Sequence, residues 1–134
     1  MTRINANLDP KSLKRLHLIA EYREITMVPA ALRRALRTKS KEEILASIPK
    51  KFTLNAGHVK FFYNKQGFLI RRFNALITEM NRRGYNYDLS RADAFLGFDD
   101  EFNYNWKSSP EDDKIVEERI ALRISQKPHL YIGD

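Results

Sequence analysis

The chain has 134 residues, no cysteine and a formal net charge of +7 at neutral pH. That length allows one small core, and the missing cysteines exclude disulfides and thiolate metal sites. No apolar run is long enough to span a bilayer, and the amino terminus lacks the apolar centre of a signal peptide, so the reading expects a cytoplasmic protein that makes no membrane contact. The charge is unevenly placed. Residues 1–84 hold 18 Lys or Arg against 6 Asp or Glu, whereas residues 85–134 hold 6 against 11. A basic half of that size fits a polyanion, since neutralised phosphates release condensed counterions.

In chain order, Asp9 is a helix cap with Pro10 in the first turn, where a missing N–H does no harm. Leu13, Leu16, Ala20 and Met27 recur at helical spacing and predict a first helix over about 10–37, kinked or interrupted at Pro29. A short helical turn follows at 42–47, then an irregular connection from Pro49 to Gly57. Asn64 is the expected cap of a second helix with the apolar stripe Phe68, Leu69, Phe73, Leu76, Ile77 and Met80. Arg82-Arg83-Gly84 stops it, because cations and then glycine suit a helix carboxyl end. Residues 85–108 read as an ordered, irregular loop. Ser109-Pro110 starts a third helix with Glu111, Asp112 and Asp113 at its positive end, and Pro128 ends it. The expected fold is mainly α: a single compact domain over 1–134, with three principal helices and irregular loops.

Two groups of residues carry chemistry. Thr2 is small enough for Met1 to be removed, which leaves a threonine α-amine. Its reference pKa of roughly 7.7–8.0 keeps an appreciable neutral, nucleophilic fraction at physiological pH. His17 and Glu24 lie two helical turns apart and project within about 20° of each other. A carboxylate on that face needs partners, and Arg3, Arg23 or His17 can supply them. On spacing alone this pair is either a structural ion pair or part of a site.

Met1-Thr2-Arg3-Ile4-Asn5, His17, Ala20-Glu21-Tyr22-Arg23-Glu24 and Ala56-Gly57-His58-Val59-Lys60-Phe61-Phe62-Tyr63-Asn64-Lys65 resemble, in order, the pyrimidine-dimer DNA glycosylases of the T-even phage endonuclease V type. The resemblance fades between residues 85 and 110 and returns at Arg119, Arg123 and Gln126-Lys127-Pro128. It implies a monomeric repair enzyme of a bacterial or phage-infected cell that acts on double-stranded, ultraviolet-damaged DNA without cofactor or metal. By the same resemblance Thr2 is the nucleophile at C1′ and forms a Schiff base, and Glu24 is the catalytic carboxylate. The lyase step is then β-elimination. Arg3, Arg23, Arg119 and Arg123 take DNA-contacting roles, with Arg123 replacing a lysine. His17 is an active-site neighbour. Tyr22 either packs in the core or touches DNA, and His58 is a structural hydrogen-bonding residue.

Two departures bear on the lesion. Met27 stands where the family pattern has a basic residue, on the His17/Glu24 side of the predicted helix. Leu130 stands where the pattern has a tryptophan. The single tryptophan, Trp106, is either core or a wedge against unstacked bases. The alternatives are therefore the same chemistry on another modified or oxidised pyrimidine, or a non-catalytic basic DNA-binding module.

Overall fold

The computed structural model describes residues 3–131; Thr2 lies outside the described residues. Asp9 does cap a turn, its carboxylate accepting from the Lys11 amide, with Pro10 first in line. This turn is a 3-10 helix, Pro10–Ser12, and it ends at once. Helix α1 starts afresh at Arg15 and stops at Glu24, and α2 runs Met27–Thr38. The expected first helix is thus two helices. Pro29 is not a kink, because it occupies the first turn of α2, where no backbone N–H partner is required. The break comes earlier, at Ile25-Thr26, where Arg91 Nη2 donates to the freed carbonyl of Arg23 at 3.0 Å and to Thr26 Oγ1 at 2.9 Å.

Helix α3 (Lys41–Ala46) begins with a capping box between Ser40 and Glu43. The four-residue helix α4 (His58–Phe61) follows the left-handed Gly57. Helix α5 (Gln66–Arg82) starts two residues after Asn64, so Asn64 is not its cap; the Asn64 side chain accepts from Lys65 Nζ instead. Its stripe from Phe68 to Met80 is buried as expected. Gly67 is required at the start of α5, since a Cβ there would stand 2.6 Å from the Asn103 carbonyl oxygen. That close approach clips the 85–108 loop, itself containing 3-10 turns at Leu89–Phe95 and Asp100–Phe102, onto the helix. Helix α6 (Pro110–Gln126) is capped by Ser109 with Asp112, and a last 3-10 turn, Pro128–Tyr131, returns against α1.

The face of α1 differs from the sequence reading. Leu18, Tyr22 and Ile25 point into the core with Glu21, against α5. Leu16 and Ala20, expected in the apolar stripe, line an open basin instead. The core carries an aromatic cluster in which Trp106 packs against Phe52, Phe61, Phe62 and Phe68, with ring centroids 5.1–5.6 Å apart. That packing answers the Trp106 alternatives in favour of the core. None of the described helices is long and apolar enough to cross a membrane.

Candidate active site at the amino-terminal segment

Three consecutive residues of the amino-terminal segment are held by side chains from elsewhere. The Arg3 amide donates to Glu24 Oε1 at 2.9 Å. The Ile4 amide donates to His58 Nε2 at 2.9 Å. Asn5 Nδ2 donates to Glu21 Oε1 at 2.8 Å. The Arg3 guanidinium also donates to the Leu54 carbonyl at 2.6 Å. Ile4, Asn5 and Ala6 are buried, so the segment behaves as part of the core and not as a free tail. Ala6 takes a φ of 53°, a left-handed conformation that costs a non-glycine residue about 1–3 kcal/mol and persists where the surroundings impose it.

Glu24 is the last residue of α1, half-buried, and its carboxyl is held above the ordinary carboxylate range by burial, with the Arg3 amide pulling the other way. Glu21, one turn earlier, is fully enclosed. Arg72 of α5 clasps it with two bonds, Nε to Oε2 at 2.7 Å and Nη2 to Oε1 at 2.9 Å. This ion pair escaped the sequence reading. Its signal is Arg72 itself, which sits inside the stripe between Leu69 and Leu76 where a hydrophobe belongs.

A basin of about 400 Å³ opens beside these groups, lined by Arg3, His17, Glu24, Arg119, Arg123 and Tyr131 among others. Residues from the amino-terminal segment, α1, α6 and the final turn thus converge. Burial, and then the charges of Arg119 and Arg123, depress the Arg3 pKa, while Glu24 opposes them. Three guanidiniums, Arg3, Arg119 and Arg123, thus share one basin with Glu24, an arrangement that can hold anionic oxygens. His17 stacks on Tyr131, ring centroids 5.0 Å apart, with Nε2 and the Tyr131 hydroxyl 3.2 Å from each other.

The other candidates are placed differently. Tyr22 is buried, stacked on Phe73, and its hydroxyl accepts from the Asp88 amide at 2.8 Å. Of its two readings, the structure favours the core. Arg23 is exposed and borders a separate depression with Arg15 and Tyr85. Met27 opens α2 and is 52% exposed; the helix break takes it off the His17/Glu24 face, and it does not line the basin. Among the described residues no three His, Asp or Glu side chains lie together so as to hold a metal ion.

The sequence model of the pyrimidine dimer DNA glycosylase family matches residues 1–93. The chain belongs to that family. It is therefore an enzyme whose substrate is damaged DNA. The matched span holds Arg3, His17, Glu24 and His58, while Arg119, Arg123 and Tyr131 complete the basin from the part of the chain beyond it.

Proposed function

We propose that this glycosylase is bifunctional and cuts the glycosidic bond of one pyrimidine of a cyclobutane dimer, whose base stays joined to its neighbour, through an imine formed by the α-amine of Thr2. The observation that carries the reading is the Arg3 amide on Glu24 Oε1. Covalent geometry keeps the α-nitrogen of a chain starting at Thr2 within about 4 Å of that amide. An amine in such a chain therefore cannot be far from the carboxylate. The basin offers no competing amine, since no lysine is among its described lining residues. Lys65, whose pKa burial lowers to about 8, is engaged elsewhere: its Nζ donates to the Phe61 carbonyl and to Asn64 and sits 3.8 Å from the Phe61 ring centroid.

In this mechanism the neutral amine attacks C1′, and the glycosidic pair of electrons leaves with the base. Loss of the nitrogen's proton and opening of the sugar ring give the imine. Glu24 stabilises the cationic sugar while ionised and carries a proton during ring opening, a role suited to a carboxyl held above its ordinary pKa. Removal of a C2′ proton then expels the 3′ phosphate, which cuts the strand by β-elimination. Arg3, Arg119 and Arg123 hold the flanking phosphates, and His17 and Tyr131 form the wall facing the sugar. The enzyme acts as a single domain and a monomer on duplex DNA.

A second reading keeps the chemistry and changes the lesion, on the strength of Met27 and the exposed Leu130 at positions where the family pattern has a cation and an indole. Single-turnover nicking of duplexes carrying a thymine dimer, an oxidised pyrimidine or a plain abasic site separates the two. Cleavage of the dimer and the abasic site supports the first. Cleavage of the oxidised base with the dimer untouched supports the second, and failure on all three contradicts both readings.

A further inference from the structure

His58 does not line the basin yet is bonded to the segment that leads into it. Gly57, at a φ of 97°, takes a left-handed conformation that no side chain tolerates well, and a Cβ there would stand 3.1 Å from Pro49 Cγ. This turn delivers His58 as the first residue of α4, buried, with its ring edge-on to Phe52 and Phe62. Nδ1 lies 2.7 Å from the Thr53 carbonyl oxygen, and Nε2 lies 2.9 Å from the Ile4 amide nitrogen. The two partners fix the ring's state. A carbonyl only accepts and an amide only donates, so Nδ1 carries the proton and Nε2 offers a lone pair. Burial, together with the nearby Arg3 charge, disfavours the imidazolium and keeps that lone pair available; the Thr53 carbonyl and Glu21 act the other way.

We infer that His58 is a positioning residue for the reaction: by accepting from the Ile4 amide it sets the direction in which the amino-terminal segment enters the basin. This rests on the Thr2 reading above. The Arg3 amide is fixed by Glu24, a reacting group whose own bonding changes during the reaction. The Ile4 amide is fixed by a group that takes no part in it. The bond to His58 is thus the anchor that persists while Glu24 gains or loses a proton. A shift of the segment by about 1 Å is enough to lower a rate by about a hundredfold.

Two substitutions separate positioning from packing. His58→Asn keeps an amide near Nδ1 for Thr53 and withdraws the acceptor from Ile4, while His58→Gln reaches the Nε2 position with an acceptor. Full-length protein is tested on abasic duplex DNA, measuring DNA affinity, single-turnover borohydride trapping and the site of the trapped adduct. The expected result is an adduct at Thr2, a trapping rate about tenfold or more lower in His58→Asn, affinity within about twofold of wild type, and most of the rate restored in His58→Gln. An adduct at Thr2 with an unchanged His58→Asn rate overturns this inference alone, as does a Gln variant as slow as the Asn variant. A wild-type adduct at a lysine overturns the nucleophile reading and this inference with it. Should His58→Asn fail to fold, His58→Gln is compared with wild type by rate and by hydrogen exchange of the Ile4 amide. Rate and protection both retained support the inference, and a slow His58→Gln variant, or one that keeps its rate after losing protection, overturns it.

Discussion

Arg72 and Glu21 meet through two parallel hydrogen bonds in an enclosed position, and Glu21 passes the contact on to Asn5 of the amino-terminal segment. The pair joins α5 to α1 directly beneath the basin. Removing one member strands a buried charge, which costs about 3–5 kcal/mol. Arg72→Met should therefore lower stability by about that amount in denaturant titration. A loss below about 1 kcal/mol would contradict the buried pairing.

Glu24→Gln keeps an oxygen to accept from the Arg3 amide but has neither charge nor transferable proton. Base release should fall by about 10²–10⁴-fold with binding of lesion DNA largely retained. The same substitution should leave stability at pH 7 equal or higher. A carboxyl whose folded pKa is raised contributes stability below its unfolded value and loses it as pH rises through the folded value, so at neutrality the ionised Glu24 is a cost. A paired drop in stability and binding would mark Glu24 as structural.

Arg119 and Arg123 enter the basin from α6, whereas Lys127, the C-cap of that helix, is not among the residues lining it. Alanine at either arginine should reduce the slope of log K against log salt by about one unit. An unaltered slope would show that the residue meets no phosphate.

Acid should loosen the carboxyl end of α5. Glu79 is held down to about 2, chiefly by Arg82 and also by Arg83, which bonds on to the Leu13 carbonyl at 2.7 Å. Its contribution is present above the ordinary carboxylate pKa and is lost as pH falls toward 2. Glu79→Gln should flatten the acid side of the stability curve; an identical acid midpoint would contradict this.

The elements with strong local signals were legible in the sequence: the stripe of α5, the Ser109-Pro110 start of α6, and the short helical turn that became α3. The chain break at Ile25-Thr26 was not, because Arg91, far along the chain, supplies the partners that end α1. The core face of α1 was misread for a related reason. A ten-residue helix with apolar groups on both sides has no dominant period, and only contact with α5 decides which side is buried. At the site, the motif residues Arg3, His17 and Glu24 converge as their order in the chain suggested, and Arg119 and Arg123 join them. Arg23 and Tyr22 occupy the same motif yet face elsewhere, since neighbours on a helix are about 100° apart. The Glu21–Arg72 and Ile4–His58 contacts required the tertiary structure.

The central claim is that the reacting amine belongs to Thr2. Borohydride reduction of the protein on abasic DNA, followed by mass spectrometry of the trapped peptide, tests it most directly. The account predicts one adduct, at the α-nitrogen of Thr2, which disappears when Met1 is retained. Attachment at Lys60, Lys65 or any other lysine, or trapping undiminished with Met1 in place, would contradict it.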